Sequence, residues 1–212
     1  FKTLPKPTMI NTIVSSFTGL EVTEQEKNSI TIQSFFRDDD EQIEKLTIKM
    51  FQFTKHIIDE IDQKWTKADV NLLEMYDYLL KMRDHCLRTI QIHQYQGEKS
   101  YYHYYFVIEL TKVSRSFSYL GRVIKESDLP RSKLFLYLKK TFNELYECYL
   151  KKDFSKTDKV WLKIRKNIQS EIGFTKLNKS KENKAFLVHY YDCLLKLSEC
   201  SSSLLGIQTP LK

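Results

Sequence analysis

The stretch between Gly19 and Gly97 contains neither glycine nor proline, and the whole chain of 212 residues has only five glycines and four prolines. Because glycine costs a helix interior about 1 kcal/mol and proline about 3 kcal/mol, their absence over such a length favours helices. Apolar residues make up 42% of the sequence, enough for a packed core. The chain has no glycine-rich phosphate loop and no nucleophile elbow. We therefore expect scaffolding, sensing or partner binding and no enzyme activity.

Six segments repeat apolar residues at the three- and four-residue spacing of one helix face. The predicted helices begin after the acidic run at 38–41 and then span about 68–95, 99–126, 131–152, 154–172 and 181–207. The predicted apolar faces of the first three are Ile43, Leu46, Met50, Phe53, Ile57, Ile61 and Trp65; Leu73, Tyr76, Leu80, Leu87 and Ile90; and Phe106, Leu110, Val113, Phe117, Leu120 and Ile124.

The strongest interruption in the middle of the chain is Ser127–Pro130, which combines a helix-capping residue with a proline. Three predicted helices precede it and three follow it, with short loops between them. This order predicts an all-α fold of two tandem three-helix bundles, spanning 37–128 and 129–212.

Residues 1–36 have a different pattern. A short helix is predicted around Ile10–Phe17, and the alternation over Leu20–Thr23 and Ser29–Gln33 predicts a β-hairpin. Because two strands and one helix cannot bury a core alone, we interpret this region as a partial α/β module. The rest of that module is expected upstream of Phe1.

The net charge of +7 is concentrated in one region, since 125–184 holds sixteen basic and eight acidic residues. Such a surface suits an acidic protein, a nucleic acid or an anionic lipid surface. The four cysteines form no CxxC pair, so unpaired thiols and a reducing cytoplasm are expected. No run of 18 apolar residues is present, and we predict no membrane span.

A line of lysines is the first candidate binding site. Spaced by four, three, four and three residues, they form a stripe that we assign to the fifth helix. The stripe could dock a protein partner, or it could be an ordinary solvated helix face. Its members are Lys152, Lys156, Lys159, Lys163 and Lys166.

The densest aromatic run, YYHYYF at 101–106, is the second candidate. On a helix it wraps about one and a half turns, so its rings cannot all face one core. A self-association interface and packing against the N-terminal α/β piece are the two alternatives. The candidate self-association residues are Tyr101, Tyr102, Tyr104, Tyr105 and Phe106.

Small residues and histidines give two further expectations. Small side chains, several serines and a glycine, lie along one side of the third helix near Gly121 and of the sixth helix near Gly206. We expect these two helices to pack centrally. The five histidines are scattered along the chain, and we expect them to be hydrogen-bonded or solvent-facing rather than metal ligands.

One segment resembles a known family. Residues 17–33, FTGLEVTEQEKNSITIQ, are similar to the segment that precedes the helical bundles of archaeal PhoU-type phosphate-uptake regulators. The stretch EKLTIKMF at 44–51 resembles the first bundle helix of that family, and the helix at 99–126 resembles the third. The resemblance covers essentially the whole chain, and its most specific part is 17–36.

The resemblance implies a cytoplasmic regulator that acts with a protein of the phosphate uptake system or its signalling partners. We expect the chain to form a homodimer. In the archaeal branch, an AbrB-like DNA-binding domain precedes the bundles. The resemblance thus implies that DNA would be contacted only through such an upstream domain.

The family also carries a metal-binding motif of two carboxylates four residues apart on the third helix of each bundle. Here the matching positions are Thr111 and Arg115 in the first bundle, and Leu195 and Glu199 in the second. An arginine repels a cation and a leucine offers no ligand atom. We therefore expect that the family metal cluster is lost and that no cofactor is bound.

These expectations lead to two functional hypotheses. The first is a non-enzymatic regulator of phosphate uptake whose bundles dimerise a transcriptional regulator. The alternative is a PhoU-like adaptor that docks on a phosphate transporter or signalling kinase without binding DNA. An upstream DNA-binding domain would distinguish them. A third, weaker hypothesis of a di-metal enzyme needs paired Glu-x-x-His motifs, which the sequence lacks.

Overall fold

The computed structural model describes residues 10, 13–14, 20–26, 29–34, 40–67, 72–171 and 183–209. Within these ranges the fold is mostly helical, with six long helices preceded by a two-stranded antiparallel hairpin. The elements are β1 Leu20–Gln25, β2 Ile30–Ser34, α1 Asp40–Lys64, α2 Leu72–His93, α3 Ser100–Glu126, α4 Lys133–Lys151, α5 Phe154–Glu171 and α6 Lys184–Gln208. The predicted helices and the predicted hairpin are confirmed, with ends shifted by a few residues.

The hairpin pairs Val22 with Ile32, and its register shifts between Val22 and Glu24. Beyond the paired strands, the backbone N–H of Glu26 donates to the carbonyl of Ser29 at 2.9 Å. The short helix predicted around 10–17 lies largely outside the described residues.

The helices make contacts in two sets of three. Helices α1, α2 and α3 contact one another, and so do α4, α5 and α6. The two sets meet mainly where α3 packs on α6, the most extensive helix contact described, and also where α1 meets α4. One cluster of buried side chains runs through all six helices. The division into bundles at 128/129 remains a prediction.

The break between the two sets has a clear backbone structure. Asp128 adopts the left-handed conformation with φ 44°, and the N–H of Leu129 donates to the carbonyl of Ile124 at 3.3 Å. The side chain of Ser132 then caps α4 by accepting a hydrogen bond from the N–H of Leu134 at 3.2 Å. These bonds satisfy helix ends that would otherwise lack partners.

Polar contacts fasten the end of α1 to the start of the second set. The indole N–H of Trp65 donates to the carbonyl of Leu129. The Lys139 ammonium lies 2.8 Å from the Asp59 carboxylate and 2.6 Å from that of Asp62. The short link after α3 is therefore held by contacts far apart in sequence.

Helix α1 is buried on two sides, whereas its sequence pattern indicates one. Phe51 and Ile58 lie outside the predicted stripe and are fully buried, while Phe53, within the stripe, is only half-buried. The reason is that α1 packs on α2 and α3 on one side and on α4 on another. A helix enclosed on two sides has no single apolar stripe.

Helix α2 turns a different line of residues inward from the predicted one. Among the side chains that the structure describes, its buried apolar residues are Leu79, Met82, Cys86 and Ile90, of which only Ile90 belongs to the predicted face. The predicted face residue Leu73 lies outside the described side chains. Tyr76, Leu80 and Leu87 are half-buried. Apolar residues lie on both lines, so the packing partners, α1 and α3, decide which line is enclosed.

Helices α3 and α6 run antiparallel in a regular register. Tyr102 lies against Gly206, Ser116 donates a hydrogen bond to Asp192, and the Tyr119 and His189 rings are 6.1 Å apart. A step of a given number of residues toward the C-terminus of α3 therefore corresponds to a step of the same number toward the N-terminus of α6. The central packing of these two helices, predicted from their small residues, is confirmed.

All four cysteines are free and buried. Cys193 and Cys200 lie on one buried face of α6, as their spacing predicts. Burial raises the pKa of Cys86 to about 12, although a hydrogen bond with Thr47 opposes the shift. Cys86 thus stays a protonated core residue at neutral pH.

Among the helices that the structure describes, none carries a stretch both long and apolar enough to cross a bilayer.

Gly121 permits the close approach of α3 to α1. A Cβ atom added there would lie 2.7 and 2.8 Å from side-chain atoms of Ile61, which is fully buried. We expect Gly121→Val to lower the free energy of unfolding by about 1–3 kcal/mol, because the core cannot absorb the added atoms. Urea unfolding followed by circular dichroism measures the change.

The control is Ser202→Val, which introduces the same branched side chain at an exposed position of α6. Equal losses in the two variants would mean that helix propensity, and not the contact with Ile61, sets the cost.

Candidate functional site

The aromatic run at the start of α3 divides between surface and core. Tyr101 is 62% exposed and Tyr102 and Tyr105 are 40% exposed. The Tyr101 and Tyr105 ring centroids are 4.4 Å apart, so these residues form a small aromatic cluster on the outside. We name Tyr101, Tyr102 and Tyr105 the tyrosine patch.

The other members of the run point elsewhere. Phe106 lies in the core, where its ring stacks on Tyr149 at 5.4 Å, so it is not on the surface of this chain. Tyr104 is half-buried against the same core. The prediction that the run cannot share one core is confirmed, and Tyr101, Tyr102 and Tyr105 are its exposed tyrosines.

The lysine stripe contacts acidic residues of α4. The Lys156 ammonium lies 2.6 Å from the Glu147 carboxylate, and that of Lys163 lies 2.8 Å from Glu144. The hydrogen bond with Glu147 raises the pKa of Lys156. Lys159 and Lys166 are exposed.

Lys152 does not belong to the fifth helix. It ends α4 as a left-handed C-cap with φ 52°, and its ammonium lies 3.2 Å from the Glu44 carboxylate of α1. The prediction that all five lysines of the stripe lie on α5 is therefore wrong for Lys152. The chain turns between α4 and α5, so the helical spacing does not extend through this residue.

The four positions that match the family metal motif do not form a set of ligands. Thr111 is buried and donates to the carbonyl of Val107 at 2.9 Å, while Arg115 is exposed over the Tyr119 ring. Leu195 is 45% exposed, and Glu199 accepts a hydrogen bond from Lys196 at 2.8 Å. In the described part of the chain, no three His, Cys, Asp or Glu side chains gather closely enough to hold a metal ion.

A pair of carboxyl groups meets across the contact between α3 and α6. Burial raises the pKa of Glu109, and the hydrogen bond with Glu199 adds to the shift, while Lys112, 2.7 Å away, opposes it. Burial also acts to raise the pKa of Glu199, but hydrogen bonds from Lys196 and Glu109 outweigh it and lower that pKa. Glu109 is thus the member that holds a proton more readily. Its helical spacing from Phe106 and Val113 could have shown from sequence that it faces inward.

A cavity of about 290 Å³ lies at one end of the helices. Residues from α1, the α2–α3 connection, α3, the end of α4 and the end of α6 line it. Its polar lining includes Glu44, Lys99, His103 and Lys152. These residues are far apart in the sequence, and no local spacing joins them.

His103 differs from the expected hydrogen-bonded or solvent-facing histidine. It is only 8% exposed, and its Nε2 has no hydrogen-bond partner among the described residues. The ring packs against Tyr95, with centroids 4.6 Å apart and planes nearly perpendicular. A buried polar atom without a hydrogen-bond partner is uncommon, and this one distinguishes His103 from an ordinary core residue.

Comparisons of the chain with models of known protein families, with curated proteins and with solved structures give no match.

Proposed function

We propose that this chain is a non-enzymatic regulator of phosphate uptake of the archaeal PhoU type. The observation that supports the proposal is the arrangement of six helices in two sets of three, with the last helices of the sets, α3 and α6, packed centrally. It accords with the resemblance over 17–33, where the described residues form a hairpin ahead of the helices. The finer fold that we propose is two tandem three-helix bundles, 37–128 and 129–212.

In this proposal the chain acts by association and not by chemistry. The tyrosine patch holds two copies together, and the dimer brings two AbrB-like DNA-binding domains close to each other. Tyrosine suits such a surface because its ring buries a large area while its hydroxyl group keeps a polar partner. The protein would work in the cytoplasm, without a metal cofactor.

The proposed dimer makes a direct prediction. We expect light scattering coupled to size-exclusion chromatography to give twice the mass of one chain. The double variant Tyr101→Glu/Tyr105→Glu should weaken the dimer about tenfold or more, because it buries two charges at the patch.

The control is Leu136→Glu, which places one such charge on an exposed apolar residue of α4. It should leave the dimer intact. A wild-type chain that stays monomeric at concentrations of about 100 μM would contradict the proposal, since stable homodimers persist well below this range.

The adaptor alternative is supported by a different surface. Lys159 and Lys166 are exposed on α5, and the Arg165 guanidinium lies over the Trp161 ring at 5.1 Å. An acidic segment of a transporter or kinase suits this basic face. In the source organism, Lys159→Glu/Lys166→Glu should disturb control of phosphate uptake under the adaptor hypothesis, whereas Tyr101→Glu/Tyr105→Glu should disturb it under the dimer hypothesis.

A further inference from the structure

The outward sides of α4 and α5 carry the same pattern of side chains. In each helix a lysine, a leucine and a second lysine follow at spacings of three and four residues, so the three lie on one face. All six are exposed, Leu136 by 53% and Leu162 by 41%. We name the six together the leucine–lysine face: Lys133, Leu136 and Lys140 of α4, and Lys159, Leu162 and Lys166 of α5.

We propose that the leucine–lysine face docks the chain on the surface of an anionic lipid bilayer. The lysines attract the acidic headgroups, and the leucines enter the boundary between the headgroups and the acyl chains. This inference goes beyond the proposed regulation of phosphate uptake and does not depend on it. It also differs from the adaptor alternative, which gives α5 an acidic protein segment as its partner.

Contacts between α4 and α5 hold the two lines of residues side by side. Lys156 and Lys163 of α5 reach across to Glu147 and Glu144 of α4, at 2.6 and 2.8 Å. The Lys163 ammonium also lies over the Tyr137 ring, 5.3 Å from its centroid. These contacts fix which sides of the two helices face each other.

The lysines of the leucine–lysine face lie next to these contacts. Lys159 and Lys166 each follow a bridging lysine of α5 by three residues, and Lys140 lies three residues after Tyr137 and four before Glu144. Residues at these spacings are neighbours on a helix surface. The two lines therefore border the same helix contact, and one flat surface can meet both.

Charge is the first argument for an anionic partner. Among the residues that the structure describes, none of the four lysines of the face belongs to an ion pair, and neither line contains an acidic residue. The exposed Arg165, over the Trp161 ring, adds a positive charge, and the half-buried Asp158 offsets one. A surface with such an excess of one charge attracts partners of the opposite charge.

The exposed leucines are the second argument, and they favour lipid. A nucleic acid or an acidic peptide pairs with lysines but gains little from a leucine between them. A bilayer uses both, because its headgroups attract the charges while an apolar side chain enters below them. The long stems of the lysines let their ammonium groups stay among the headgroups as the leucines enter.

Co-sedimentation of the full chain with lipid vesicles tests the proposal. We expect binding to vesicles of about 30% phosphatidylglycerol in phosphatidylcholine, and binding at least about tenfold weaker to phosphatidylcholine alone. Raising the salt concentration from about 0.1 M to about 0.5 M should weaken the binding several-fold, because it screens exposed charges. The double variants Lys133→Gln/Lys140→Gln and Lys159→Gln/Lys166→Gln should each weaken it about tenfold or more.

Leu136→Ser/Leu162→Ser distinguishes a bilayer from other polyanions. It should weaken binding to the anionic vesicles about fivefold or more, because less apolar area leaves water on docking. The matched control for the lysine variants is Lys49→Gln/Lys55→Gln, which removes two exposed lysines of α1. The control should bind like the wild type.

Four results would overturn the proposal. The first is the absence of binding to the anionic vesicles at low salt, and the second is equal weakening by Lys49→Gln/Lys55→Gln. The third is wild-type binding by Leu136→Ser/Leu162→Ser. The fourth is tighter binding to polyglutamate or to a DNA duplex than to the vesicles, which would assign the face to an acidic protein or to a nucleic acid.

Discussion

Replacing Phe51 with alanine is expected to lower the free energy of unfolding by about 3–5 kcal/mol, the usual cost of removing a fully buried phenylalanine. The Phe51 ring lies within 6 Å of four aromatic rings, at 5.9 Å from Phe106, 5.8 Å from Phe142, 4.8 Å from Tyr146 and 5.2 Å from Tyr149. It therefore joins α1 to both α3 and α4. Removing it opens a cavity where the two sets of helices meet, and urea unfolding measures the loss.

Phe53→Ala is the informative control, because it makes the same change two residues away. The apolar spacing of the sequence places Phe53 in the core and leaves Phe51 out, whereas in the structure Phe53 is only half-buried and packs on Tyr78 at 5.0 Å. Phe53→Ala should lower the free energy of unfolding by less than half as much as Phe51→Ala, since Phe53 buries less apolar area on folding. A larger loss for Phe53 than for Phe51 would show that α1 is rotated relative to the structure.

The second large expected effect is a pH dependence of the free energy of unfolding that is caused by His103. Burial is the main cause that lowers its pKa from 6.5 to about 4 in the folded chain. Between these values the unfolded chain binds a proton that the folded chain does not, so the free energy of unfolding falls as the pH falls through this range. The contribution lost is on the order of 3 kcal/mol, at 1.36 kcal/mol for each pKa unit.

His103→Gln should remove this part of the pH dependence. Urea unfolding of the variant and the wild type from pH 7 to pH 4 gives the difference in free energy, which should shift in favour of the variant as the pH falls. His56→Gln, at an exposed position of α1, should keep the wild-type slope. A constant difference between His103→Gln and the wild type across this range would show that the ring is not buried in its neutral form.

The helices of this protein were predictable because their signals are local. The spacing of Leu110, Val113 and Phe117 indicates one face of α3, and all three are fully buried. The break at Ser127–Pro130 likewise depends on a few adjacent residues. Such signals do not report which neighbour a helix meets, so the second buried side of α1 and the inward line of α2 required the tertiary packing.

The candidate sites were less predictable for the same reason. The spacing of the lysines did not reveal that Glu144 and Glu147, on another helix, lie against two of them. The residues of the cavity come from four distant parts of the chain, so no sequence window contains Glu44, His103 and Lys152 together. Pairing between distant charges and the closure of a cavity are products of the assembled helices.

The central packing of α3 on α6 has a consequence for the synthesis of the chain. Helix α3 is complete at Glu126, but its most extensive packing partner is complete only at Gln208. At about 5–20 residues per second, translation of the intervening segment takes roughly 4–16 seconds. During that interval one apolar side of α3 in the nascent chain lacks its packing partner. A chaperone or a neighbouring nascent chain can bind this side until α6 is complete.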